Sequence, residues 1–241
     1  MAILISCETS GTALPKLAAT EAAIAPDENQ WRGIDSDSID HCAGELAGRL
    51  ASMINMPLIR NPFCNALIDV SRSLHHRQLY GALSQDWSDV QKQQLIDLVH
   101  TPYRRRIESA LQRILQQFTF VIHLSVRTFD SQVSQTPRRG DIGLLYDPSR
   151  EAEVDFCLDW IDELYDLYPH LRVRRNYPRR GTVDSLHKAL RRKFPADQYL
   201  GVEVWLNRAW ASRDVALRDE ALRHLAASLR ETVGVPSSEA A

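Results

Sequence analysis

Five strand-length apolar runs, at residues 2–6, 118–126, 142–146, 171–173 and 199–206, punctuate this chain, and helical patterns lie between most of them. None approaches the roughly 20 apolar residues needed to cross a bilayer. Their alternation with helices favours an α/β fold, a mainly parallel or mixed sheet flanked by helices. The clearest helix covers 151–168, where Val154, Leu158, Ile161, Leu164, Tyr165 and Tyr168 recur at three- and four-residue steps before Pro169 ends it. A second covers 37–53, opened by an Asp or Ser cap, with Ile39, Leu46, Leu50 and Met53 along one side. The segment 88–117 contains Pro102, which removes a backbone donor, so it reads as two helices meeting near Thr101. With no internal repeat or linker, residues 1–232 read as a single domain, and 233–241, rich in Ser, Pro and Ala, as a disordered tail.

At 241 residues, 44% of them apolar, the chain can bury a substantial core. A formal net charge of -2 argues against nucleic acid as a partner, since the basic runs at 104–106 and 172–180 are too short to reverse it. Cys7, Cys42, Cys64 and Cys157 are far apart and show no paired metal-ligand spacing. With no basic leader before the first apolar run, a reduced, cytoplasmic protein without membrane association is expected. The oligomeric state stays open.

Six sequence blocks follow one another in order: CETSGTALP from Cys7, IDHCAGELA from Ile39, NALIDVSRS from Asn65, VIHLSVRTFDSQVSQTPRRGDIGLLYDPSR from Val121, RRNYPRRG from Arg174 and LGVEVWLNR from Leu200. Together they resemble the N-formylglutamate amidohydrolases, whose corresponding blocks carry Cys-Glu-His-Gly-Gly, a Tyr-Asp-Pro-Gly-Ala helix start, an Asn-Arg-Ser turn, a His-Ser-Phe triplet before Asp-Ile-Gly-Leu-Leu, Asn-Tyr-Pro-Tyr and Glu-Leu-Glu-Val-Asn. The resemblance implies a phosphorylase/hydrolase-like three-layer sandwich shared with zinc carboxypeptidases. It also implies hydrolysis of an N-acyl amino acid such as N-formylglutamate. That chemistry needs a Lewis acid, a general base and cations for the substrate carboxylates.

Carried over residue by residue, the resemblance puts Thr9, Thr12 and Arg127 where metal-associated positions fall, and Trp205 where the base falls, with Glu203 two residues earlier on the same strand face. Neutral hydroxyls and a guanidinium do not replace imidazoles around zinc. Arg72 corresponds to the arginine expected to hold a substrate carboxylate through its planar fork. Arg138, Asp141, Asn176 and Gly181 stand in family-like positions, whereas Ser71 and Arg179 replace an asparagine and a tyrosine. Arg127 is expected to put its charge where a metal would sit, paired with Glu8 or Asp40; the plainer alternative is a side chain swung to solvent.

Other clusters were weighed. His41, His100 and His123 could join Asp40 or Glu8 in a relocated metal site, or be structural, as a histidine inside an apolar strand usually is. His75 and His76 read as an exposed pair in a loop after the Arg72 strand, a Cys7–His41 nucleophile pair lacks an oxyanion loop, and 104–106 reads as a solvated helix face. Three functions follow: a relative with lost or much weakened hydrolysis that binds a small carboxylate and needs no cofactor; an active zinc amidohydrolase using Glu203, Asp40 and His41; or a protein-interaction module.

Overall fold

The computed structural model describes residues 1–17, 39–209 and 213–234. Its central sheet is built from β1 (Ala2–Cys7), β2 (Leu58–Arg60), β3 (Val121–Phe129), β6 (Ile142–Leu145), β7 (Val173–Arg175) and β8 (Tyr199–Asn207), in the order β2-β1-β3-β8-β6-β7. The first four strands in that order run parallel; β6 pairs antiparallel with β8, and β7 runs parallel to β6. A two-stranded ribbon, β4 (Gln132–Val133) with β5 (Thr136–Pro137), stands apart.

Helices cover both faces, giving three layers. On one side α1 (His41–Met53), α4 (Glu151–Leu167) and α6 (Val215–Val233) pack on Ile3, Ile5, Ile122, Leu124, Val126, Val202 and Val204. On the other lie α2 (Asp89–Leu95), α3 (Thr101–Leu115) and α5 (Leu186–Arg191), with the 64–79 loop. Strand alternation makes these two faces chemically different. In β3, Ile122, Leu124 and Val126 enter the first, aliphatic layer, so that His123, Ser125 and Arg127 point to the second, although all nine residues of the strand are buried.

Most expected elements are present with shifted ends. The expected helix at 37–53 begins at His41, because the Asp40 carboxylate caps it by accepting from the Ala43 amide; residues 37 and 38 lie outside the described residues. The break expected near Thr101 takes the form of a π-helical segment, Ile96–His100, which leads directly into α3 and leaves Pro102 in the first turn, where its missing N–H costs nothing. No strand forms at Arg72: residues 65–80 are turns, tied by an isolated bridge between Ile68 and Tyr80. β2, α5 and α6 were not foreseen. Val233, expected in the tail, ends α6 and Gly234 caps it with φ +65°; the rest of the expected tail, 235–241, lies outside the described residues.

One buried ion pair ties α4, α5 and the sheet together. Glu153 and Arg191 meet at 2.8 Å with side chains 1% and 6% exposed. Glu153 Oε1 accepts from Arg191 Nε and the Gly201 amide, and its Oε2 from Arg191 Nη2 and the Asp147 amide. Arg191 gives its remaining bonds to the carbonyls of Gly181 and Gly201. Every charged atom of this pair therefore has a partner.

Candidate functional site

In open α/β sheets ligands gather beyond the carboxyl ends of parallel strands. Here β1, β3 and β8 end together, and their second-layer side chains form rows across the sheet. Ser6, Ser125 and Glu203 stand in register, and one row further on Arg127 stands beside Trp205. Gly143 of β6 is the next member of that row. A Cβ there would lie 1.7 Å from the Tyr177 carbonyl oxygen, so the absent side chain lets the 176–178 turn settle on the sheet. The turn then carries Arg179 over Trp205, with the guanidinium carbon 4.8 Å from the ring centroid. Arg127 lies 5.3 Å from the same centroid. Trp205 is thus contacted by two cations, while its indole N–H donates to Glu203 at 2.8 Å.

Arg127, 6% exposed, does not pair with Asp40 or make a direct bond to Glu8. Its Nη2 lies 3.6 Å from Asp69 Oδ1 and its Nη1 donates to the Ser71 hydroxyl at 3.1 Å. The physical reason is that the two expected partners are already engaged. Asp40 accepts from the Ala43 amide, the Thr9 hydroxyl, and both the amide and hydroxyl of Thr128. Glu8, 1% exposed, accepts from the hydroxyls of Ser6, Tyr103 and Ser125. Glu8 still acts on Arg127 through space. Burial alone would lower the Arg127 pKa, but Asp69, Glu8 and Glu203 outweigh it and raise it above the ordinary arginine value.

The carboxylates facing this arginine respond in kind. Burial would raise Asp69, yet Arg127, two bonds from Ser71 and Arg72 hold it below the usual range. Glu203 is likewise pushed up by burial and pulled down further by Arg179, Arg127 and bonds from Arg179 and Trp205. Both stay ionised at neutral pH. Arg72 differs: burial lowers its pKa, Asp69 only partly restores it, and Arg179 and Arg127 lower it again. Its Nε is 3.3 Å from Asp69 without hydrogen-bond geometry, and its Nη1 donates to the Asp184 carbonyl. The Nε atoms of Arg72 and Arg179 are both buried with no acceptor.

The remaining expected site residues fall elsewhere. Asp141 is bound by Arg172 and Arg213, each at about 3 Å, and its carboxylate accepts the Arg172 amide, so it clamps the β6–β7 edge. Asn176 accepts from the amides of Tyr146 and Gly181 and braces the turn that carries Arg179. Arg138 stacks on Phe129 at 5.5 Å, and among the described residues no hydrogen bond or ion pair links it to Arg72. Thr12 is exposed. His41 is exposed on α1, whereas Cys7 is fully buried in the aliphatic layer, where burial, then Glu8, raises its pKa. His100 Nε2 donates to the Arg72 carbonyl at 2.8 Å. His123 bonds Tyr199 and Ser6, and burial lowers its pKa to about 3. Asp40 caps a helix on one face of the sheet and Glu203 projects from the other, so the proposed trio of Glu203, Asp40 and His41 does not converge. Among the described residues no group of three or more His, Cys, Asp or Glu side chains could hold a metal ion. Sequence reasoning missed Asp69, His187 and Tyr103, all of which touch this polar layer.

The fold, with its polar layer at the strand ends, defines a three-layer α/β protein. A family model described as N-formylglutamate amidohydrolase matches residues 1–212, and the chain belongs to that family. Among solved structures, the Agrobacterium tumefaciens gene product Atu2144 is similar with a TM-score of 0.73 at 17% identity, covering 96% of this chain and 91% of that one. The N-formylglutamate amidohydrolase of Ralstonia eutropha JMP134 follows with a TM-score of 0.66 at 18% identity, covering 97% and 93%. At these identities the likeness concerns the fold. No curated protein matches significantly. No helix among the described residues is long and apolar enough to cross a membrane.

Proposed function

We propose that this N-formylglutamate amidohydrolase-like protein has lost or much weakened its zinc-dependent amide hydrolysis and binds a small carboxylate, such as glutamate or an N-acyl derivative, through Arg72. The observation that carries this reading is the pair of buried Nε donors, on Arg72 and Arg179, that lack a hydrogen-bond acceptor within a cluster of three guanidiniums. A buried donor without an acceptor costs about 1–3 kcal/mol, and a ligand carboxylate would supply the missing oxygens. Asp69 and Glu203 answer two of the three positive charges directly.

Zinc does not fit the residues present. Thr9 offers a hydroxyl already donated to Asp40, Thr12 is exposed, and Arg127 is a cation held in place by the carboxylates that a divalent ion would otherwise attract. The base position fares no better, since the Trp205 indole accepts no proton. Glu203 is engaged by Arg179 and Trp205.

The test combines binding, metal content and turnover. Glutamate or N-formylglutamate is expected to raise the melting temperature, ligand at 100 times its Kd stabilising by about 2.7 kcal/mol, and Arg72→Ala is expected to abolish the shift. Protein purified without chelator or metal-affinity tag is expected to contain no stoichiometric zinc by elemental mass spectrometry and to leave N-formylglutamate intact with or without added zinc. Near one zinc per chain together with turnover would overturn the proposal. So would the absence of a thermal shift with every acidic ligand.

A further inference from the structure

The basic run at 104–106 is not the uniformly solvated helix face that the sequence suggests. Arg105 and Arg106 are exposed, but Arg104 turns inward and its Nη1 donates to the carbonyls of Val70, Ser71 and Arg72. Its Nε and Nη2 have no acceptor among the described residues. Beside it, α3 and the loop after Arg72 enclose a cleft of about 400 Å³, lined by none of Arg127, Arg179, Glu203 or Trp205.

Three cations, Arg104, Arg105 and Lys193, line this cleft against one carboxylate, Glu108. Glu108 is engaged by Lys193. Among the described residues no carboxylate comes within ion-pair distance of Arg104 or Arg105. The excess of positive charge is notable in a chain whose formal net charge is -2. Burial lowers the Arg104 pKa, with Asp184, Glu108, Asp69 and Glu8 acting against it through space, and a partly buried cation gains from a directly bound anion. Thr101 and His75 line the same walls and bring a hydroxyl and an imidazole to them.

We propose that this cleft is a second binding site, for a small dianion of the phosphate or short dicarboxylate kind, held between Arg104 and Arg105 with the Thr101 hydroxyl donating. The site stands apart from the Arg72 carboxylate site. Arg104 touches only the backbone carbonyls of that loop, while the Arg72 side chain turns to Asp69.

The experiment is a calorimetric titration of the full chain with inorganic phosphate and, separately, with glutarate, at ionic strength held constant with chloride. Saturable one-to-one binding is expected. Arg105→Gln, at an exposed position that the fold does not depend on, should weaken it about tenfold, the equivalent of one charged hydrogen-bonding contact. Arg113→Gln removes the same charge from the same helix outside the cleft and should leave binding unchanged. Saturation by phosphate alone assigns a phosphoryl ligand; glutarate also suits the Arg72 site, so it is titrated into Arg72→Ala, where saturation that Arg105→Gln weakens assigns a carboxylate ligand to the cleft. Linear, non-saturating responses to both anions would overturn the proposal, as would equal losses in Arg105→Gln and Arg113→Gln. Arg72→Ala should leave phosphate binding intact, which keeps this result separate from the fate of the carboxylate reading.

Discussion

Two buried ionic clusters, Glu153–Arg191 and Arg72–Arg127–Arg179, are finished differently. At Glu153–Arg191 each charged atom meets a partner, including four backbone groups, the Asp147 and Gly201 amides and the Gly181 and Gly201 carbonyls. At Arg72–Arg127–Arg179 the carboxylates are fewer than the cations in direct contact with them, and two Nε donors are buried without acceptors. The closed network holds the fold together; the open one, on the reading proposed above, leaves donors for a ligand carboxylate. Polar burial alone therefore does not mark a site.

The contrast can be broken most forcefully at the closed end. Glu153→Ala strands the Arg191 guanidinium in the interior and should cost about 3–5 kcal/mol in urea denaturation. A loss below about 1 kcal/mol would mean that the closed network does not carry the fold. The next effect lies where the regions meet. Burial lowers the pKa of His187 well below its ordinary value, and His123, Arg191, Arg127 and Arg179 lower it further, while burial brings His123 to about 3. Both rings are neutral in the folded state, so below pH 6.5 the unfolded chain binds the protons and stability falls as the pH drops toward the folded values. Each histidine should cost about 2 kcal/mol at pH 5 relative to pH 7.5. Denaturation curves that coincide at the two pH values would show that these imidazoles are protonated in place. The smallest effect belongs to the open end: Arg72→Ala should destabilise the unliganded protein by only about 1 kcal/mol, because that side chain has little to lose. A cost as large as that of Glu153→Ala would turn Arg72 into a structural residue.

The sheet was legible because its apolar runs are long, and α4 because its apolar positions keep helical steps through four turns. β2 was not, since its three residues are too few to show alternation. In α6 the stripe formed by Leu222, Leu225 and Leu229 is obscured by Val215 and Leu217, which are apolar yet about half exposed in its first turn. Within the site, motif order located Arg72, Arg127, Arg179, Glu203 and Trp205. The partner of Arg127 escaped because Asp69 reads as a turn residue. Its Oδ1 does accept the Ser71 amide two residues on, and nothing in that local pattern announces a second, long-range duty. Asp141 and Asn176 misled for the opposite reason: polar residues retained in a motif can serve backbone geometry rather than a ligand.

Strand β3 has a further consequence. Because one edge of its side-chain alternation is aliphatic and the other carries an imidazole, a hydroxyl and a guanidinium, sliding the strand by a single residue would drive all three into the hydrocarbon layer. The polar row thus works as a key that admits only one alignment of the central strands during folding. Such a key is useful to the chain whether or not it ever cleaves an amide.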